Sequence, residues 1–538
     1  MSDNNVKYYP FWRCGSCVQI NSSRLIKFLA DQGFGNFQTQ EGRTHNSILF
    51  FNNSGMLELH SPDSLKRFLI GFIEDDETLG ESEKEEVQDR IVKLAPSTIG
   101  NYIQTLPLFS ENSFSDTKKL NIFKDDKNNC YIPFNNGVVH ITPKDIKLID
   151  RKSIIDKGCI WESSILNHDI TIQDKYMVSQ NNPFKDFITY ALKKDVTPNP
   201  DKNDINLGTD TERYKSTLSA FETGFGYMIH SYNPPQEQKM VVFVDVDSSP
   251  ERTEGGNGKS LGMSQIQNFR KTAFVNGKQF RKSLNDSSRF NFSNVKLDTG
   301  FVLINDLNPD FDLTQMFSDI TDDMTIEGKG TNKIVIPKER KPKMGATTNY
   351  VITGVGQSYE RRQHIVEFGN FWNKCSQLGI ATTDIIKKVI PNDFDKNDWD
   401  GFYNYGFMCV QRYLREGLVK QSVSSYAKKN LISVIEGISG NGDVTEWIEN
   451  FVNDNTEISS KDGLMEETIY KKFTSDNPSF MVTWDMKKLL DGMFNYVSQN
   501  EKLDWNPEFS KGGNTRSKRR WRKGERGQQK NFVRIVSV

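Results

Sequence analysis

Runs and alternations of apolar residues mark out the elements of the chain. "KMVVFVDVDSS" places Val241, Val242, Phe243 and Val244 in unbroken succession, the pattern of a strand buried on both faces. Downstream, "SLGMSQIQNFRKTAF" spaces Leu261, Ile266 and Phe269 at roughly helical intervals. "GFVLINDLNPDFD" predicts a strand of Phe301, Val302, Leu303 and Ile304, "KPKMGATTNYVITG" a short one, and "SYERRQHIVEF" a third. Earlier, "IPFNNGVVHITPKDIKLID" alternates as strands around an Asn-Gly turn. The first 95 residues mix strands ("SILFF", "MLELH") with helices ("SSRLIKFLADQG", "DSLKRFLIGFI"). A helix is expected over "DWDGFYNYGFMCVQRYLREGL", and two more, "MEETIYKKFTSD" and "DMKKLLDGMFNYVSQN", before a closing strand "NFVRIVSV".

These elements predict an α/β, multidomain protein. The expected division is an N-terminal α+β region (1–95), a strand-rich module ending in a polar linker (96–212), an ATPase core with its helical segment (213–440) and a small basic domain (441–538). A chain of 538 residues has room for several cores. Mean hydropathy is −0.61, and no apolar run suits a membrane span. No basic-then-apolar signal opens the chain, so a cytoplasmic protein, in a bacterial host cell, is expected. Six cysteines in this length imply reduced thiols rather than a disulfide framework. Cys14 and Cys17 supply half a zinc knuckle, with no second C-x-x-C to complete it. The scattered histidines give no metalloprotease pattern.

Between the first strand and its helix stands "ERTEGGNGKS", close to the phosphate-loop pattern G-x-x-x-x-G-K-[ST] but with Thr253 where the first glycine belongs. Gly255, Gly256 and Gly258, with Asn257 between them, let backbone N–H groups turn inward around a phosphate. Lys259 is positioned for the β/γ-phosphates and Ser260 for Mg²⁺, making ATP and Mg²⁺ the expected cofactors. A structural glycine turn is the competing reading. Such a site needs an acid at a neighbouring strand end, and Asn305-Asp306 closes one. Asn349 ends the next, and Arg361-Arg362 precede the last.

This ordered set resembles the superfamily 3 helicases, most closely the poxvirus-type primase–helicases and their phage and mobile-element relatives. The resemblance covers about residues 100 to 420. It implies an AAA+-like sheet in a hexameric ring around DNA, with Asn349 as sensor 1 and Arg361 or Arg362 reaching a neighbouring subunit's site. It also makes Lys259, Asp306, Asn349 and the two arginines catalytic, and Ser260 and Asp306 the metal residues. Two acids usually end the family's second strand. Here Asn305 stands for the first, leaving Asp306, with Asp310 or Asp312 nearby. The arginines have an alternative role as ion-pair partners of Glu360 or Glu367.

DNA contacts are expected in two places. "TIEGKGTNKIVIPKERKPK" carries Lys329 and Lys333 at a glycine-rich tip, followed by Lys338, Arg340, Lys341 and Lys343. The 511–530 run holds nine Lys/Arg against one Glu and surrounds Trp521 with Arg519, Arg520 and Arg522. It reads as the wing of a winged helix or as a solvated tail. The acid-rich stretch 74–86 reads as a solvated helix or loop. Asp245 and Asp247 form a D-x-D pair on the loop-bearing strand and do not support primase chemistry. The expected activity is an ATP-dependent DNA helicase. The rivals are an origin-binding or DNA-clamping protein that barely hydrolyses ATP, and a small-molecule P-loop kinase.

Overall fold

The computed structural model describes residues 7–8, 10–14, 17–38, 48–53, 55–111, 117–174, 178, 182–196, 211–246, 255–280, 290–309, 311–327, 334–352, 354, 357–422, 424, 426–437, 440, 442–460, 463–500, 502–506, 520–523 and 529–537. They form a multidomain α/β protein organised around a parallel sheet. Its strands are β1 (Met240–Asp245), β2 (Thr272–Asn276), β3 (Phe301–Asn305), β4 (Lys343–Thr347) and β5 (Gln363–Phe368). They lie in the order β2-β3-β4-β1-β5, and every pairing is parallel.

Side chains alternate across a strand, so an apolar run feeds two cores at once. Val241 and Phe243 enter one cluster with Phe301 and Leu303, while Met240, Val242 and Val244 enter another with Val302 and Ile304. The first cluster is closed by α1 (Pro183–Ala191), α2 (Thr211–Ile229) and, further along the chain, α5 (Lys396–Glu416), with α3 (Lys259–Ser264) and α4 (Phe371–Gln377) between. Helix α5 starts where the Asp395 side chain accepts from the N–H groups of Asn397 and Asp398, and it stops at Gly417, whose φ is +69°. It lies against α2 so closely that a Cβ on Gly226 would collide with the Cys409 carbonyl.

Strand pairing and packing run across two of the expected boundaries, at 95 and at 440. Helix 96–105 and strands 108–110, 118–119 and 160–161 belong with the N-terminal strands 34–37, 48–53 and 56–59, in one six-stranded sheet and its helical cover. The antiparallel strands Cys130–Phe134 and Gly137–Ile141 instead share the core of α1, α2 and α5 through Ile132, Phe134, Val139 and Ile141. Their turn is Asn135-Asn136, with Gly137 already paired to Phe134, rather than Asn-Gly. Strands of two or three residues carry no periodicity, so this pairing was not legible in the sequence. The acid-rich stretch runs into helix Glu81–Val92, which buries Val87 and Ile91 one turn apart.

At 440 the link is a helix that packs on both sides. Helix Tyr426–Glu436 sends Ile435 into the C-terminal core, while Tyr426 packs under the parallel sheet. The Tyr426 hydroxyl accepts from Ile352 N–H at 3.0 Å and bonds the Ile352 carbonyl at 3.2 Å; Asn430 pairs with the backbone of Gly354. Beyond it come helix Asp443–Asp454, strand Leu464–Met465, helices Glu466–Asp476 and Met486–Gln499, and strands Arg520–Lys523 and Gln529–Val533. Among the described residues, no helix is long and apolar enough to cross a membrane, and no His/Cys/Asp/Glu group is arranged to hold a metal. Cys17 is an exposed free thiol.

Gly226→Ala is expected to destabilise the core by about 1–3 kcal/mol through overpacking, although alanine is the better helix former. Gly71→Ala, in a helix with open space around the new Cβ, should be neutral or stabilising. Paired urea titrations with a core-tryptophan signal check both.

Candidate functional site

The loop that follows β1 turns back over the C-terminal end of the sheet. Gly256 and Gly258 adopt φ of +103° and +88°, a region that costs other residues strain. A Cβ on Gly255 or Gly256 would meet nothing within 4 Å among the described residues, which leave the loop's upper side open. A Cβ on Gly258 would lie 2.6 Å from Cζ of Phe187, so the α1 ring supports the loop from below. Phe187 stacks on Trp372 of α4 with centroids 5.3 Å apart. Loop, rings and strand tips enclose a cavity of about 480 Å³, lined also by Asn305, Asp306, Thr347, Asn349 and Thr382.

Lys259 is buried and reaches across the strand ends. Its Nζ lies 2.5 Å from Asp245 Oδ2 and donates to Asn349 Oδ1 at 2.8 Å. Burial lowers its pKa, and the Asp245 carboxylate offsets only part of that. Asn257 Nδ2 donates to the other Asp245 oxygen at 2.9 Å, while its own Oδ1 is buried with no hydrogen-bond partner among the described residues. Ser260 Oγ donates to Asn305 Oδ1 at 2.8 Å, and Thr347 Oγ1 donates to the same oxygen at 2.7 Å. Asp306 sits at φ +62°, and its carboxylate pairs with Lys278 at 3.2 Å. The structure therefore brings Gly255, Gly256, Asn257, Gly258, Lys259, Ser260 and Asn349 together, with Asn305 rather than Asp306 facing Ser260.

The donor set fits a phosphorylated ligand with a hard cation. An open glycine cradle, a buried ammonium and the oxygens of Ser260, Thr347, Asn305 and Asp306 are the groups Mg²⁺ and phosphates take. The unpartnered Asn257 oxygen is a further sign of polar capacity left over at the loop.

Arg361 and Arg362 lie far from this cavity. Met240 N–H donates to the Arg362 carbonyl at 2.9 Å, which puts both arginines at the start of the strands, whereas the loop leaves their ends. A strand of six residues separates the two levels by roughly 20 Å. Arg361 is exposed, while Arg362 is buried, its guanidinium 4.2 Å from the Phe317 ring centre and its Nη1 donating to Ser358 O. Neither pairs with Glu360 or Glu367 among the described residues: Lys420 pairs with Glu360, and Gln421 donates to Glu367.

Lys338 is exposed, but the rest of the basic segment after Ile336 is not a free surface, contrary to expectation. Arg340 forks onto Glu111 of the N-terminal region, its Nε at 2.7 Å, and also donates to Ile122 O. Lys341 donates to the carbonyls of Asp319 and Asp322, and its burial lowers its pKa to about 8. Lys343 is fully buried, its Nζ 3.6 Å from the Tyr227 ring centre, and burial holds its pKa well below the usual value. Backbone carbonyls hold Lys341, while Lys343 Nζ has the Tyr227 ring and no hydrogen-bond partner among the described residues, an interior placement that charge counting misses. Lys329, Lys333, Thr253, Asp247, Asp310 and Arg519 lie outside the described residues, while Arg520, Trp521 and Arg522 lie on a strand paired with Gln529–Val533. Sequence reasoning missed Asp245, Thr347, Phe187 and Trp372 as parts of the site. Only Asp245 carried a signal, as a charge at the end of an apolar run.

No family model and no curated protein matches the chain. Among solved structures, it is similar to the apo C-terminal region (305–718) of NrS-1, at 10% identity and TM-score 0.37, over 95% of this chain and 98% of that one. Two A-form apo structures of the same region align at TM-scores of 0.38 and 0.33, with 10% and 11% identity, each over 96% of this chain and 98% and 99% of theirs.

The two faces of the loop predict unequal glycine substitutions. Gly258→Ala, strained at φ +88° and pressed on Phe187, should weaken binding of a non-hydrolysable ATP analogue about tenfold or more. Gly255→Ala should change it little. Equilibrium dialysis of both variants makes the comparison.

Proposed function

We propose that the chain is an ATP-dependent DNA helicase or replication protein of a phage or other mobile element, acting as a ring. One observation carries the reading: a glycine loop ending in Lys259-Ser260 leaves the end of β1 in a parallel sheet ordered β2-β3-β4-β1-β5, and the adjoining β4 presents Asn349 to Lys259. That order supports an AAA+-like P-loop ATPase. The helix, short strand, two helices and hairpin after residue 442 support a winged-helix domain carrying Arg520, Trp521 and Arg522.

In this reading the loop N–H groups and Lys259 hold the triphosphate, and Ser260, Asn305 and Asp306 are the residues that would hold Mg²⁺. Bound Mg²⁺ supplies neutralisation of charge on the phosphates. Asn349, once Lys259 turns to the ligand, has its side-chain amide free to orient the attacking water. Arg361 and Arg362 cannot serve their own loop, so the exposed Arg361 is assigned to a neighbouring copy's site and the buried Arg362 to holding it in place. Lys329, Lys333 and Arg519 complete the assigned DNA contacts.

A second reading, an ATP-binding origin-binding or DNA-clamping protein with little hydrolysis, is favoured by the Ser260–Asn305 contact. A neutral amide there offers a cation less than a carboxylate does. Steady-state turnover with and without single-stranded DNA, together with the native mass of the complex with ATP analogue, tests both. Stimulated turnover in a hexamer supports the motor. A monomer without turnover sinks it. Asn305→Asp is expected to raise turnover about tenfold or more if the missing charge limits the reaction.

Lys259→Ala is expected to abolish turnover. Arg361→Ala should fold, bind ATP and assemble, yet hydrolyse about 10³-fold more slowly or worse, within the range known for arginines acting in trans. Mixing the two variants under subunit exchange should restore part of the activity, and activity no greater than the sum of the parts would remove the neighbour role.

A further inference from the structure

The assigned roles leave one buried charge at the site unused. Asp245 ends β1 at 6% exposure, with one oxygen on Lys259 Nζ and the other on Asn257 Nδ2. It is not among the side chains lining the cavity, because Lys259 and Asn257 stand in front of it. At the tip of β3 the oxygen facing Ser260 belongs to a neutral amide, and Asp306 is paired with Lys278. The counter-charge within contact of the loop lysine is thus supplied by the very strand that carries the loop.

A phosphate arriving at the cradle meets an ammonium already neutralised. To take Lys259 it must draw the ammonium from a carboxylate 2.5 Å away, leaving that buried carboxylate with the Asn257 N–H. A buried charge that loses its ion partner is costly. Part of the binding free energy therefore goes to offset the loss, and the same carboxylate draws the ammonium back as phosphate leaves. We propose that Asp245 is a positioning residue that sets the affinity of the site for phosphorylated ligands and speeds their release, by competing with them for Lys259. The proposal rests on the loop being a nucleotide site.

The test uses the full-length chain, with pyrophosphate and a non-hydrolysable ATP analogue as probes, in equilibrium binding and steady-state turnover. Asp245→Asn keeps the shape and removes the charge. It should bind both probes about tenfold tighter and lower kcat and KM together, as slow release requires. Asp245→Glu, which restores the charge, should return affinity towards wild type. Lys259→Ala should bind both probes more weakly. If Lys259→Ala binds more weakly while Asp245→Asn binds no tighter, the competition is overturned and the nucleotide reading stands. If Lys259→Ala binds as wild type does, the nucleotide reading fails and this proposal with it. Should Asp245→Asn not fold by circular dichroism, Asp245→Ser carries the same expectation and the same refutation.

Discussion

Burial of a single strand on both faces governs the rest of this architecture. β1 has no solvent side, so its odd and even residues need separate apolar partners, and the chain supplies them from distant segments. Phe134, Phe184, Phe221 and Phe402 help close one face, and Phe292, Met316, Ile336 and Tyr426 help close the other. A strand so enclosed leaves only its ends for polar chemistry, and at the C-terminal end the loop, Asn305, Thr347 and Asn349 converge. The close seat of α2 on α5, possible because Gly226 has no side chain, follows from the same need to pack the first face without voids.

The continuous apolar runs of β1 and β3 were legible because double-sided burial writes itself as consecutive hydrophobic residues. The glycine loop was legible for a different reason: few other arrangements need three glycines beside Lys-Ser. What escaped was whatever depends on long-range pairing. Strands 108–110, 118–119 and 160–161 join residues 34–59 through a handful of backbone bonds, with no pattern in their own composition. Asp245 was visible but read with Asp247 as a possible D-x-D pair, since nothing in the sequence says that Lys259 folds back onto it.

Charge was the least transferable signal. Lys341 and Lys343 sit in a basic stretch, and both are interior residues, one capping the carbonyls after Asp319 and the other resting on Tyr227. Arg340 is spent on Glu111, tying the parallel-sheet unit to the N-terminal sheet. Arg361 and Arg362 are neighbours in sequence with opposite environments, because the turn into β5 sends one outward and lays the other on Phe317. Adjacent residues of like charge divide their work according to which side of the backbone the core lies on.

The hydroxyl of Tyr426 grips the backbone of Ile352 through both its N–H and its carbonyl, and Asn430 repeats the grip at Gly354. Ile352 lies three residues from Asn349, whose amide oxygen holds Lys259, and the helix that begins at Tyr426 ends inside the C-terminal core at Ile435. That helix joins the strand-tip segment beside the loop to the C-terminal core. Any coupling it carries between occupation of the loop and the seat of that domain would be reciprocal.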